Sequence, residues 1–147
     1  MSAGPLDGLV YLDAEQRARL AELATRREYA VGDVLLEEGE ASKSLIFIEQ
    51  GVVRVERDYF GARIPITELH EGEVLGEISV IEEGVASATV IAVEPVRALV
   101  LGDPNAAVAS DPDLAAGFYR SLALLLAQRL RYSTDERRDF AAAFSWG

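Results

Sequence analysis

Between Glu28 and about Leu101 the chain breaks into short β-branched runs separated by glycines with acidic neighbours, and no other feature constrains its fold as much. Tyr29 to Val31, Val34 to Leu36, Leu45 to Ile48, Val52 to Glu56, Ile64 to Leu69, Ser87 to Val93 and Val96 to Leu101 each read as a strand. Segments spaced this closely predict a sandwich or barrel rather than a parallel α/β sheet. Gly61 falls at the tip of a hairpin between two of them. Gly32-Asp33-Val34-Leu35 and Gly72-Glu73-Val74-Leu75 repeat a turn followed by an apolar strand start, a corner that a jelly roll uses twice.

The flanking segments read as helices. Residues 13–26 place Leu20, Leu23 and Ala24 against Arg17, Arg19 and Glu22, and Asp13 with Gln16 forms a capping box. Asp103-Pro104 and Asp111-Pro112 each set an N-cap aspartate before a proline at the first helical position. The second start opens a helix to roughly Arg138, with Leu114, Phe118, Leu122, Leu125 or Leu126, Arg129 and Tyr132 at helical spacing. At ~1.5 Å per residue it exceeds about 35 Å, more than a small domain needs to cover its own core, so part of it is expected to meet another subunit. The tail, residues 139–147, carries Phe140, Phe144 and Trp146 and is expected to fold back or to dock a partner.

Charge and composition narrow the function. A net charge of −11 repels phosphate backbones and argues against nucleic acid as the partner. The chain has no cysteine, which removes disulfides, thiolate zinc sites and cysteine nucleophiles. His70 is the sole histidine, so neither a histidine metal set nor a serine relay is expected, and no Walker or dinucleotide fingerprint is present. An enzyme is therefore not expected. The longest apolar run stops at Arg120 and Gln128, and Met1-Ser2-Ala3-Gly4-Pro5 is neither basic nor apolar, so a cytoplasmic location without membrane insertion is expected. The 147 residues predict one domain: a helix at 13–26, a β jelly roll at 28–101, helices over 103–138 and the tail.

The candidate site lies in the stretch from Leu75 to Val90. It opens with Gly76-Glu77, forms an apolar turn of helix, and runs through Glu82-Glu83 into a β-branched strand. Glycine permits close backbone approach and the first amides of a helix point outward as free donors, which together suit an anion cradle.

Four stretches together resemble the cyclic nucleotide-binding domain family: Gly32 to Glu40, Leu45 to Val55, Leu69 to Glu77, and residues 87–93. The resemblance covers roughly residues 13–132 and implies a mainly β fold with flanking α-helices, a β jelly roll closed by a long C-terminal helix. It also implies that Gly76 and the amides of Ile78 and Ser79 hold the cyclic phosphate and that Glu77 accepts from the ribose 2′-hydroxyl. Ser87 matches a small hydroxyl beside the phosphate, with Ala88 next to it in the cassette.

The family's phosphate-pairing arginine falls on Ala86. Removing one partner of such a pair costs about 2–5 kcal/mol, or roughly 30-fold to several-thousand-fold in dissociation constant. Glu82 and Glu83 are expected to push the local potential further against a phosphate. The resemblance thus implies a regulatory module with weak or no binding of cyclic AMP or cyclic GMP and no other cofactor. A compensating Arg54, Arg63 or Arg97 would instead make a working receptor, and a pocket filled by its own side chains would make a structural interaction protein. The family's long helix forms a dimer seam, which implies a homodimer through Phe118, Leu122, Leu125, Arg129 and Tyr132. The residues after Arg138 are too few for a helix-turn-helix, so a separate protein partner is expected.

Overall fold

The computed structural model describes residues 4–143, with side chains through Arg131. Two glycine corners organise its strands. Gly32 and Gly72 adopt φ of 92° and 89°, a region open to glycine at little cost. Each turn is closed the same way. Asp33 accepts from the Ala30 amide at 2.8 Å and Glu73 from the His70 amide at 2.7 Å. The turns then exchange backbone bonds with a neighbouring strand, Gly32 with Ala92 and Gly72 with Ile48. The short repeat in the sequence is thus one structural corner built twice.

The elements, in chain order, are α1 (Ala14–Leu23), β1 (Thr25–Tyr29), β2 (Val34–Leu36), β3 (Leu45–Gln50), β4 (Val53–Tyr59), β5 (Ala62–Leu69), β6 (Val74–Leu75), α2 (Glu77–Glu82), β7 (Thr89–Ala92), β8 (Val96–Leu101), α3 (Pro104–Val108) and α4 (Pro112–Ala143). The strands form two four-stranded sheets, β1-β8-β3-β6 and β2-β7-β4-β5, and every pairing is antiparallel. This is the jelly roll expected from the strand spacing.

The central strands of the first sheet, β3 and β8, are buried on both faces. Ile46, Ile48, Ala98 and Val100 face the opposite sheet, whereas Leu45, Phe47, Leu99 and Leu101 pack against the helices. That double burial explains why β3 and β8 read as continuous apolar runs rather than alternating ones. β5 is the opposite case. It lies at a sheet edge, is exposed along nearly all its length, and carries Pro65, which edge position tolerates. Phe60 and Gly61 make the two-residue turn between β4 and β5, both at positive φ, so Gly61 does sit at a hairpin tip.

The caps form as the sequence predicts. Asp13 and Gln16 make a reciprocal capping box, Asp103 accepts from Ala106 and Asp111 accepts from Leu114. Several boundaries move. α1 ends at Leu23 and the first strand lies at Thr25–Tyr29 rather than at 29–31, because Thr25 to Tyr29 pair in register with Val100 to Val96. The paired β6 adds an eighth strand. Residues 4–12, which carry no predicted element, form successive turns that bury Leu6, Leu9 and Leu12 in the core. α4 continues to Ala143, so Phe140 belongs to its backbone; Phe144 and Trp146 lie outside the described residues. Among the described residues no helix is long and apolar enough to cross a membrane.

Candidate functional site

Gly76 is the fixed point of the site. Its φ is 94°, and a β-carbon there would stand 2.4 Å from the Ser44 carbonyl oxygen, so no other residue fits against β3. From Gly76 the chain turns directly into α2. Val80 donates its amide to the Gly76 carbonyl at 3.1 Å, and the Ser79 hydroxyl donates to the same oxygen at 3.1 Å. The Ser79 side chain is thereby bound to its own turn.

The loop after α2 is held from the other side. Ala86 donates its amide to the Glu40 carbonyl and accepts from the Gly39 amide, both at 2.9 Å, and Thr89 accepts from the Glu38 amide at 3.0 Å. Residues 84–89 therefore follow the turn before β3, with Ala86 only 3% exposed.

All seven predicted cassette positions, Gly76 to Ser79 and Ala86 to Ala88, line a single cavity of about 410 Å³. Its floor comes from the strands through Leu36, Val55, Leu69 and Val90. Arg57, Ile66 and Thr67 stand on β4 and β5, and Leu126, Arg129 and Leu130 of α4 close the remaining side. The described side chains leave this space open.

Charge in the cavity is arranged differently from the expectation. Glu77 is buried, its side chain 4% exposed. Its Oε1 accepts from Arg129, whose other guanidinium nitrogen donates to the Val74 carbonyl. Glu77 Oε2 is also buried and, among the described residues, has no hydrogen-bond partner. The three arginines considered as replacements at position 86 are engaged elsewhere: Arg54 with Glu56 at 3.1 Å, Arg63 with Glu37 at 2.8 Å and Arg97 with Glu28 at 3.7 Å. None of them lines the cavity; Arg57 and Arg129 do. Glu82 and Glu83 are exposed and also outside it. Glu83 instead lines a separate groove with Lys43 and Asp103. Beside that groove, burial first and then the charges of Glu83 and Asp103 raise the Tyr119 hydroxyl above its ordinary range.

Arg129 was legible in principle. It lies on the helical stripe of Leu114, Phe118 and Leu122, the face that packs on the domain. The same stripe corrects the predicted subunit seam. Phe118 and Leu122 are 0% exposed, enclosed in a cluster with Leu20, Leu101 and Leu114. Leu125 packs partly on that cluster and Arg129 pairs within the chain. The Tyr132 side chain lies outside the described residues. His70 is exposed on the Gly72 corner, and among the described residues no cluster of three or more histidines or acids is arranged to hold a metal.

A second chain of contacts ties the cassette helix to α4. Asn105 of α3 donates to the Val80 carbonyl of α2 at 2.9 Å, and the Tyr119 hydroxyl of α4 donates to Asn105. The cavity wall and the long helix are therefore linked through α3 and directly through Arg129.

The family model described as "Cyclic nucleotide-binding domain" matches residues 26–105, which include the whole cassette. A cAMP-dependent protein kinase regulatory subunit of Debaryomyces hansenii is 32% identical over 91 residues, covering 62% of this chain and 20% of that protein. Glutaminase 2 of Bradyrhizobium diazoefficiens is 32% identical over 140 residues, covering 92% of this chain and 21% of that protein. Among solved structures, the catabolite activator protein of Thermus thermophilus superposes with a TM-score of 0.72 at 30% identity, over 91% of this chain and 63% of that one. The chain thus spans about a fifth of the length of these two curated relatives.

Proposed function

This chain belongs to the cyclic nucleotide-binding domain family, and from that premise we propose that it is a non-enzymatic sensor or adaptor module with weak or no affinity for cyclic AMP and cyclic GMP. The observation that carries this reading is Ala86. It stands buried in the wall of the cavity, at the position where the resemblance calls for the phosphate-pairing arginine. Neither cavity arginine replaces it in kind: Arg129 is committed to Glu77 and the Val74 carbonyl, and Arg57 is exposed. A cyclic phosphate against α2 would lack its main charge partner, a deficit of about 2–5 kcal/mol.

The output element is α4. It closes the cavity through Arg129 and also runs beyond it, so a change in the cavity alters the posture of a helix that a partner can read. We assign the homodimer contact to α4, which runs beyond the cavity, and the readout to a separate protein.

Calorimetry with cyclic AMP and cyclic GMP tests the reading. No saturable heat is expected at micromolar ligand, and a micromolar isotherm with either nucleotide refutes it. One observation favours a second reading, an ordinary cyclic nucleotide receptor: Arg57 lines the cavity and, among the described residues, makes no ion pair. On that reading, Arg57→Gln abolishes the micromolar isotherm.

A further inference from the structure

Side chains alternate along β1, so Arg26 and Glu28 share one face and Arg27 and Tyr29 the other. The first two are engaged, Arg26 with Glu49 at 2.8 Å and Glu28 with Arg97 at 3.7 Å. Arg27 pairs in register with Ala98 of β8, one of the residues turned toward the opposite sheet. There Arg27 and Tyr29 line a second pocket, of about 240 Å³, between β1 and β2, which are edge strands of the two sheets. Ser42 and Lys43, on the turn before β3, close it, and the buried Ile46 and Val100 line it from the core. Among the described residues, Arg27 and Lys43 make no ion pair and the Ser42 hydroxyl has no hydrogen-bond partner. Of the two acids in the lining, Glu37 is held by Arg63 at 2.8 Å, which leaves Glu40. The pocket therefore carries an excess of positive charge in a chain whose net charge is −11.

We propose that this pocket is a second ligand site, for a small carboxylic acid in its ionised form, which Arg27 and Lys43 bind and to which the Ser42 hydroxyl donates. Guanidinium and ammonium groups are donors only, and a carboxylate is an acceptor only, so the unengaged groups select that chemistry. The volume lies below the roughly 300 Å³ at which drug-sized pockets begin, which favours an acid of few carbons over a nucleotide. The site is distinct from the cassette cavity but shares a wall with it, since Leu36 and Ala86 line both. The turn that carries Lys43 is also tied to the cassette loop, through the bonds of Ala86 with Gly39 and Glu40 and the bridge between Ala41 and Val85. An acid bound here bears on the cassette from behind. This holds whatever the cavity itself takes, so the proposal does not depend on the cyclic-nucleotide reading.

Amide NMR of the full chain tests this, with succinate as the probe, its neutral diamide succinamide as the uncharged analogue, and sodium chloride holding the ionic strength constant. Succinate at millimolar concentration is expected to give saturable shifts over residues 41–44 and, across the shared wall, at residues 85–87; succinamide is expected to give none. Arg27 and Lys43 are exposed, so Arg27→Gln and Lys43→Gln should fold as the parent does. Each is expected to weaken succinate binding by about 2- to 5-fold, the scale of a partly exposed charge contact, and the double variant to lose saturation. Shifts that fail to saturate, or that succinamide reproduces, overturn the proposal. So does a double variant that binds succinate as the parent does. Shifts confined to residues 76–79 would put the acid in the cassette cavity and overturn it as well.

Discussion

Arg129 of α4 donates one guanidinium nitrogen to the Glu77 carboxylate of α2 and the other to the Val74 carbonyl of β6. The two residues are 52 positions apart, and their pairing makes the long helix part of the cavity wall. It also leaves the two Glu77 carboxylate oxygens in different states, Oε1 paired and the buried Oε2 without a partner among the described residues.

Ala86→Arg should convert the site toward cyclic nucleotides. The backbone of residue 86 is pinned between Gly39 and Glu40, so a longer side chain starts from the cavity wall rather than from a loose loop. A gain of about 30-fold or more in affinity for cyclic AMP is expected by calorimetry. Unchanged affinity would show that the missing charge is not what limits binding.

Gly76→Ala should damage the fold as well as the site. The substitution meets both an unfavourable left-handed conformation and the Ser44 carbonyl oxygen 2.4 Å away, a backbone atom that has no side-chain freedom with which to yield. A loss of at least about 2 kcal/mol is expected in urea unfolding. A variant as stable as the parent contradicts this packing.

Gly117→Ala separates helix propensity from packing. In an exposed helix the change to alanine stabilises by about 1 kcal/mol. Here the new β-carbon would lie 2.6 Å from the Tyr11 carbonyl oxygen and 2.8 Å from a Leu12 methyl carbon, where the N-terminal turns cross α4. The expected sign is therefore destabilising, read as a lower midpoint in thermal unfolding.

Arg26 holds Glu49 by two hydrogen bonds, at 2.8 and 3.0 Å, and this hydrogen bonding lowers the Glu49 carboxyl below its ordinary value. A carboxylate depressed in the folded state contributes stability at pH above its unfolded value, about 4.3, and loses it as pH falls through the folded value. Thermal melts of the parent and of Glu49→Gln should thus differ most near neutral pH and converge as the pH falls through the lowered Glu49 value. A difference that grows on acidification would reverse the assignment.

Leu122→Asp distinguishes core from seam. Leu122 is 0% exposed within the single chain, so a charge there should abolish folding rather than release folded monomers. Leu130→Glu, at the exposed rim where α4 meets the cavity, should keep the fold and yield monomer in sedimentation if the dimer contact lies there. An unchanged sedimenting species would remove α4 from the interface.

The strands with two buried faces were the most legible part of the chain. Val96 to Leu101 is a strand in sequence and structure with the same ends, because every position but Arg97 is buried. β1 was misplaced because Thr25-Arg26-Arg27-Glu28 is polar on both faces, and only its register with β8 makes it a strand. The short helix opened by Gly76 and Glu77 was legible, since a Gly-Glu pair before an apolar turn is a local pattern. Its electrostatics were not: Arg63 and Arg97 pair with Glu37 and Glu28, acids far off in sequence, and Arg54 pairs with Glu56 along its own strand. Glu77 shows the same limit, because its partner comes from a helix near the other end of the domain.

By itself, the sequence determined the jelly roll, its two glycine corners, the helix caps and the absence of an arginine at position 86. Each is settled by residue type and spacing, which act over a few neighbouring positions. Only the tertiary structure decided that Phe118 and Leu122 are core, that Arg129 lines the cavity, and that Glu77 has one buried oxygen without a partner among the described residues. Burial and ion pairing depend on what stands opposite in space, and for α4 that is a cavity wall built from residues tens of positions away.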